Sequence, residues 1–228
     1  FNMESFRDNF DIRSGEILAY LDLLRFIEHA GSELVSTEDP ENKFNITSES
    51  RKTLKGAVYI LLYNLIESTM REAICFIHDS LHDKNVQFDN LKKNLRTEIV
   101  KRLKSDSVGV ENFINGLTKG ISCGISYGTF NKKKLFSGNI DRDEIKEKAT
   151  IYGFSTSSDY IHTKHGEKLS TIKQHRNDLA HGNVSFSEIG KNVSYQDLEN
   201  VSLEVIAYLD AIATNIEDYI HSDGYLAS

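Results

Sequence analysis

The residue types best able to do chemistry are concentrated in Arg176-Asn177-Asp178-Leu179-Ala180-His181-Gly182. This stretch joins an always-charged guanidinium, an amide, a carboxylate and an imidazole that titrates near neutral pH, and it closes on a glycine. Three uses are open to it. A cation and a histidine can simply meet the negative end of a helix macrodipole. The same groups can hold a phosphate without reacting. In the third use His181 shuttles a proton on a phosphodiester while Arg176 holds the charge that develops on the phosphoryl oxygens.

The element that must position these groups is a helix from about Gly166 to His181, whose Leu169, Ile172 and Leu179 fall on one apolar face. Arg176 lies in the same row. A guanidinium facing a core is costly unless paired, so it needs a partner inside or an opening onto a groove. His181, five positions on, is turned about 140° away in an unbroken helix. The two converge only if the helix ends there. Gly182 supplies the stop, because glycine readily takes the left-handed conformation just past a helix end.

The other helices follow from period and punctuation. Ile17, Tyr20, Leu21, Leu24 and Ile27 mark a first helix from about Asp11 to Leu34, closed before Pro40. Thr47 or Ser48 can cap a second, running to about Leu81. Its apolar residues, from Leu54 to Ile77, cover more than one face and make it the central, most buried helix. Asn64, Glu67 and Arg71 share a polar strip on it, and Glu67 or Asn64 is the expected partner that orients Arg176, unless Glu67 and Arg71 form an ordinary surface pair.

Gln87 to Lys104 reads as a third helix, amphipathic and basic through Lys92, Lys93 and Arg96. Together with Lys173 these cations are candidates for guiding a phosphate backbone. A short helix is expected at 110–117 and a loop or small hairpin at 120–138, whose glycines fit neither a P-loop nor a dinucleotide fingerprint. Asp141 to Tyr152 reads as helix, Asn183 to Asn192 as loop. Ser194 caps a last helix that keeps a three-four rhythm to about His221. His162, His165 and His175 lack the nearby carboxylate or cysteine that a metal site needs, so no metal is expected. The fold class is all-α, an antiparallel helical bundle with a mixed helical and loop insertion.

Composition narrows the function. The formal net charge of −7 argues against a large, sequence-independent nucleic-acid footprint while leaving room for a locally basic cleft. Cys75 and Cys123 are far apart and suit a reducing cytoplasm. The sequence shows no signal peptide, and its longest apolar run is too short to span a bilayer. Cytoplasmic localisation without membrane attachment is expected, with Met3 as the natural start.

Arg-Asn-x-x-x-His near a helix end, followed by a short polar loop and a long last helix, resembles the HEPN superfamily of small all-helical RNases, whose signature is Arg, four to six residues, His. The run from Leu61 to Ala73 is similar to the long second helix of the HEPN branch found in prokaryotic defence and toxin–antitoxin loci. The resemblance implies one HEPN-like domain over 3–222, with an insertion at about 86–158 that has no counterpart in the family's minimal core. It further implies a cofactor-free, metal-independent endoribonuclease, a hydrolase acting as toxin or antiphage defence effector. In it the RNA's 2′-hydroxyl attacks the adjacent phosphate, with Arg176 and His181 catalytic and Asn177 and Asp178 supporting. A homodimer with a composite active site, and an antitoxin or ATPase partner, are expected on the same ground. The alternative is a non-catalytic nucleotide-binding, RNA-binding or protein-interaction HEPN module.

Overall fold

Among the described residues the helices carry almost all of the regular structure. The computed structural model describes residues 3–29, 31–104, 135–136 and 138–227. In order they form α1 (Met3–Ile27), β1 (Glu33–Val35), β2 (Lys43–Asn45), α2 (Ser48–Asp83), a 3-10 turn (Phe88–Asn90) and α3 (Lys93–Lys104). Then come α4 (Arg142–Tyr152), α5 (Tyr160–Thr163), a second 3-10 turn (Lys164–Gly166), α6 (Leu169–Ala180), α7 (Phe186–Gly190) and α8 (Tyr195–His221). The all-α class holds. The two strands are three residues each, paired antiparallel with Leu34 opposite Phe44. Among the described residues no helix is long and apolar enough to cross a membrane.

The chain divides into two compact units. One unit comprises Phe1–Phe10, Glu67–Asp159 and Leu209–Ser228. Its core gathers Phe6, Met70, Ile74, Ile77, Ile145 and Ile216, each fully buried. Phe6 stacks on Phe76 at 6.0 Å. Arg7 is clamped by the carboxylates of Glu217 and Asp210. These contacts explain why α1 begins at Met3 instead of Asp11: Phe6 and Phe10 extend the apolar row of Ile17, Leu21 and Leu24 backwards by about three turns.

In the same unit the helix expected at 87–104 is split. Leu91 is extended and bridges to Leu226, so α3 starts only at Lys93. Asp141 caps α4 by accepting from the backbone N–H groups of Asp143 and Glu144, and Gly153 ends it at φ +92°. The insertion expected at 86–158 thus contributes core, through Leu91, Leu95 and Ile99 as well as Ile145 and Tyr152. The short helix expected at 110–117 and most of the loop or hairpin expected at 120–138 lie outside the described residues.

A buried polar cluster joins α2, α3 and α4. His78 Nε2 lies 3.0 Å from the Tyr152 hydroxyl and 3.2 Å from Arg102 Nη1. A guanidinium only donates, so Nε2 accepts and the ring proton sits on Nδ1. Burial, reinforced by the Arg102 charge, holds the His78 pKa well below that of a free histidine. Burial also pushes the Tyr152 phenol up to about 12.

The other unit comprises Asp11–Ile66 and Tyr160–Tyr208. Here α1 ends at Ile27, not Leu34, because Gly31 turns the chain at φ +83° and residues 33–35 pair with 43–45. Thr47 caps α2 by accepting from Ser50 N at 3.0 Å. The helix expected to start at Gly166 starts at Leu169, since His165 and Gly166 both take positive φ. The loop expected at 183–192 contains α7, begun by a capping box in which Ser185 and Glu188 satisfy each other's backbone N–H. Two glycines let α7 approach α2: a Cβ on Gly190 would sit 1.9 Å from the Lys52 carbonyl oxygen, and one on Gly56 would sit 2.2 Å from that of Phe186.

Gly190→Ala is therefore expected to destabilise the protein by about 1–3 kcal/mol, the usual range for forced overpacking, read as a lower urea midpoint. A second prediction follows from His78, whose unfolded state binds a proton that the folded state refuses. Stability should fall as pH drops below about 6.5, by at most about 1.4 kcal/mol per pH unit for this one group. Urea titrations between pH 7 and pH 5 should show that slope in the wild type and a shallower one in His78→Gln.

Candidate functional site

α6 is anchored at its start by Leu169 and Ile172, both fully buried, and becomes progressively exposed towards its end. Its last turn delivers the candidate groups. Arg176, Asn177 and Asp178 are half-buried, and His181 is exposed at the C-cap. His181 has φ −91° and ψ −1°, and its N–H donates to the Asn177 carbonyl at 3.0 Å. Gly182 follows at φ +69° with open space around it. The stop expected from the glycine is present, and it leaves the imidazole in solvent at the helix end.

The half-buried guanidinium of Arg176 rests on aromatic surface. Its Cζ lies 4.4 Å from the ring centroid of Tyr63, a side chain of α2 with 0% exposure. The ring face carries negative quadrupolar charge, so a cation over it recovers part of the hydration it gives up. Nη1 also donates to Asn177 Oδ1 at 2.9 Å. Asn177 thus holds its neighbour from the side while Tyr63 supports it from below.

One turn earlier on α2, Tyr59 packs against His175 with ring centroids 4.5 Å apart. Two tyrosines four residues apart therefore seat two consecutive residues of α6. Burial lowers the His175 pKa below the usual histidine value, which favours its neutral form against Tyr59. Asp178 is held below the usual carboxylate range first by a hydrogen bond from Gln174, at 3.0 Å, and then by one from Asn183 at 3.4 Å. The positive charges of His175 and His181, when protonated, act in the same direction. Asp178 therefore stays anionic beside His181 and orders the loop after the helix.

The remaining candidates are placed as follows. Lys173 is half-buried on α6, three residues before Arg176. Asn64 is exposed on α2. Glu67 accepts from Arg71 at 2.7 Å. Lys92, Lys93 and Arg96 lie at the start of α3 and belong to the other compact unit. Among the described residues no group of three or more His, Cys, Asp or Glu side chains is gathered as a metal ion requires. His165 instead packs on Tyr160, at 5.3 Å between centroids.

Tyr63 and Tyr59 sit inside an apolar run of the sequence that reads as core. The available signal was their type. In a stripe otherwise built of Leu, Ile and Val, two tyrosines at helical spacing present faces suited to a cation and an imidazole.

The sequence model of one HEPN family matches residues 3–225, nearly the whole chain. Neither a curated protein nor a solved structure matches it.

Because the ring and not the hydroxyl carries the contact with Arg176, Tyr63→Phe should leave the arginine in place, whereas Tyr63→Leu should release it. The NMR signal of Arg176 Nε–H, shifted by the aromatic ring in the wild type and in Tyr63→Phe, should move to its ordinary position in Tyr63→Leu. Removing the ring should also cost about 2 kcal/mol or more of stability through the cavity and the lost cation–π contact.

Proposed function

The chain belongs to the HEPN superfamily, and from that premise we propose that it is an endoribonuclease acting without a metal ion. The observation that carries this reading is the pairing, on one helix end, of a guanidinium seated on Tyr63 and braced by Asn177 with a solvent-facing His181. A seated arginine offers a preorganised charge, and an exposed imidazole is free to take and return a proton.

In the reaction the 2′-oxygen of the RNA forms a bond to the adjacent phosphorus and the bond to the 5′-oxygen breaks. The proton of the 2′-hydroxyl leaves to a base, and a proton is delivered to the departing oxygen. His181 serves as the base or the acid. Arg176 stabilises the crowded phosphorane, where its fixed position counts most because charge grows there in the transition state. Asp178, anionic beside His181, favours the protonated imidazole at the moment it forms.

One imidazole per chain is a poor match for a reaction that both removes and returns a proton. A homodimer that brings two Arg176–His181 motifs to one cleft answers this, and a symmetric pair is the simplest assembly that does so. Lys173 on α6 and Lys92, Lys93 and Arg96 on α3 are the cations proposed to attract the RNA backbone, which makes binding salt-dependent. Action as a toxin or defence effector, with an antitoxin or ATPase partner, belongs to the same proposal.

Purified protein in excess chelator should cleave single-stranded RNA and leave 2′,3′-cyclic phosphate ends. His181→Ala should lose about 100-fold or more in rate with its melting curve unchanged, since the side chain is exposed. Arg176→Lys should also lose rate, because an ammonium cannot reproduce the planar fork. Full activity in His181→Ala would remove that residue from the mechanism, and tight nucleotide binding with no RNA turnover would favour a non-catalytic module. Growth arrest on expression, relieved by His181→Ala, is the expected cellular outcome.

A further inference from the structure

The unit that holds Arg176 also holds a cavity of about 410 Å³, within the range of roughly 300–1,000 Å³ usual for small-molecule sites. Two helical strips line it. Lys168, Thr171 and Ile172 come from the start of α6, and Asp197, Asn200, Val201 and Glu204 from the first turns of α8 at spacings of three and four. Tyr59, the residue that supports His175, closes one side. The apolar walls are thus Ile172, Val193, Val201 and the tyrosine, and the rest of the lining is polar.

The polar groups differ in how far they are already engaged. Asp197 Oδ2 receives both the backbone N–H and the hydroxyl of Ser194, at 3.1 and 2.6 Å, in the capping arrangement that starts α8. It is further balanced by the nearby charge of Lys168. Glu204 is different. Its Oε2 is buried with no hydrogen-bond partner among the described residues. A half-buried carboxylate on the wall of a cavity, lacking a donor, is an acceptor that a ligand can satisfy. With one lysine against two carboxylates the lining carries net negative charge, so a phosphate would be repelled from it.

We propose that this cavity binds a guanine base of the RNA, placed beside the Arg176–His181 site and read by Glu204; this rests on the ribonuclease reading given above. Guanine presents two adjacent donors, N1–H and the N2 amino group, and next to them the O6 acceptor. A carboxylate takes the two donors together, and the cavity's cation Lys168 or the amide of Asn200 can donate to O6. Uracil offers a single donor between two carbonyl oxygens, which a carboxylate repels. The phosphate remains outside, where the arginine is. Ile172 and Lys168 precede Arg176 by four and eight residues, about 6 and 12 Å along a helix. That span matches one or two nucleotides of extended single strand, the form in which bases are splayed out and read.

The test is calorimetric titration of the full chain with the phosphate-free nucleosides guanosine, adenosine, cytidine and uridine, with agmatine as a cationic probe. Guanosine should bind about tenfold or more tighter than uridine, and Glu204→Gln should remove about that factor while the melting curve stays unchanged. If Glu204→Gln unfolds, Lys168→Gln should weaken guanosine binding instead. Equal binding of all four nucleosides, or agmatine binding that depends on Glu204 with no guanosine binding, would overturn the proposal. Since the readout needs no RNA turnover, guanosine binding in a protein that fails to cleave RNA would sink the nuclease reading and leave the base site standing.

Discussion

The constraint on which the rest depends is the cost of placing Arg176 in an apolar row. A guanidinium there must recover its lost hydration, and it does so against the face of Tyr63 and the amide oxygen of Asn177. For that to work Tyr63 must itself be immobile, which its complete burial in α2 ensures. The breadth of apolar surface on α2 is therefore a condition of the site as well as of the core. A narrower stripe would leave the ring at the surface, and the arginine with it.

The same solution recurs in the other unit. Arg102 lies 5.8 Å from the ring centroid of the buried Tyr152 and donates to that tyrosine's hydroxyl and to His78. Glu98, one turn before it on α3, accepts from its Nε at 3.0 Å. Both arginines rest on a tyrosine ring, yet their surroundings differ in a way that bears on function. Arg102 is surrounded by a carboxylate, a phenol and an imidazole, and its cluster closes on itself. Arg176 is followed by a helix end, an exposed imidazole and a glycine, so its surroundings open outward. The first arrangement is suited to holding helices together, and the second is the one proposed to meet an anion.

Backbone detail sets where the second arrangement opens. Gly182 ends α6, and Asn183 bonds to Asp178 through both its backbone and its side chain. The Ser185–Glu188 capping box then starts α7 at once, and Gly190 and Gly56 let it lie against α2 without a Cβ in the way. The segment after the motif is thereby tied down within a few residues. An overall charge of −7 is compatible with the proposed recognition of one phosphate, because charges elsewhere are screened within about 10 Å at moderate salt.

The sequence by itself determined the all-α class, the length and broad apolar surface of α2, caps at Thr47 or Ser48 and at Ser194, the stop at Gly182, and the Arg176–His181 spacing. These follow from period, from the few residue types that satisfy helix ends, and from glycine's freedom at positive φ, all of which act over one or two turns. Helix ends set by distant contacts were not legible: α1 reaches back to Met3 because Phe6 finds Phe76, and Leu91 leaves the helix because it bridges to Leu226. α7 carries a local signal in Ser185 and Glu188, but its five residues are too few to show a period. That the ring of Tyr63 lies under Arg176 was not legible, because which ring meets a guanidinium depends on the rotation of one helix against another. That rotation brings the buried face of Tyr63 under Arg176, since helix packing is decided by how whole apolar surfaces fit and not by any one polar pair.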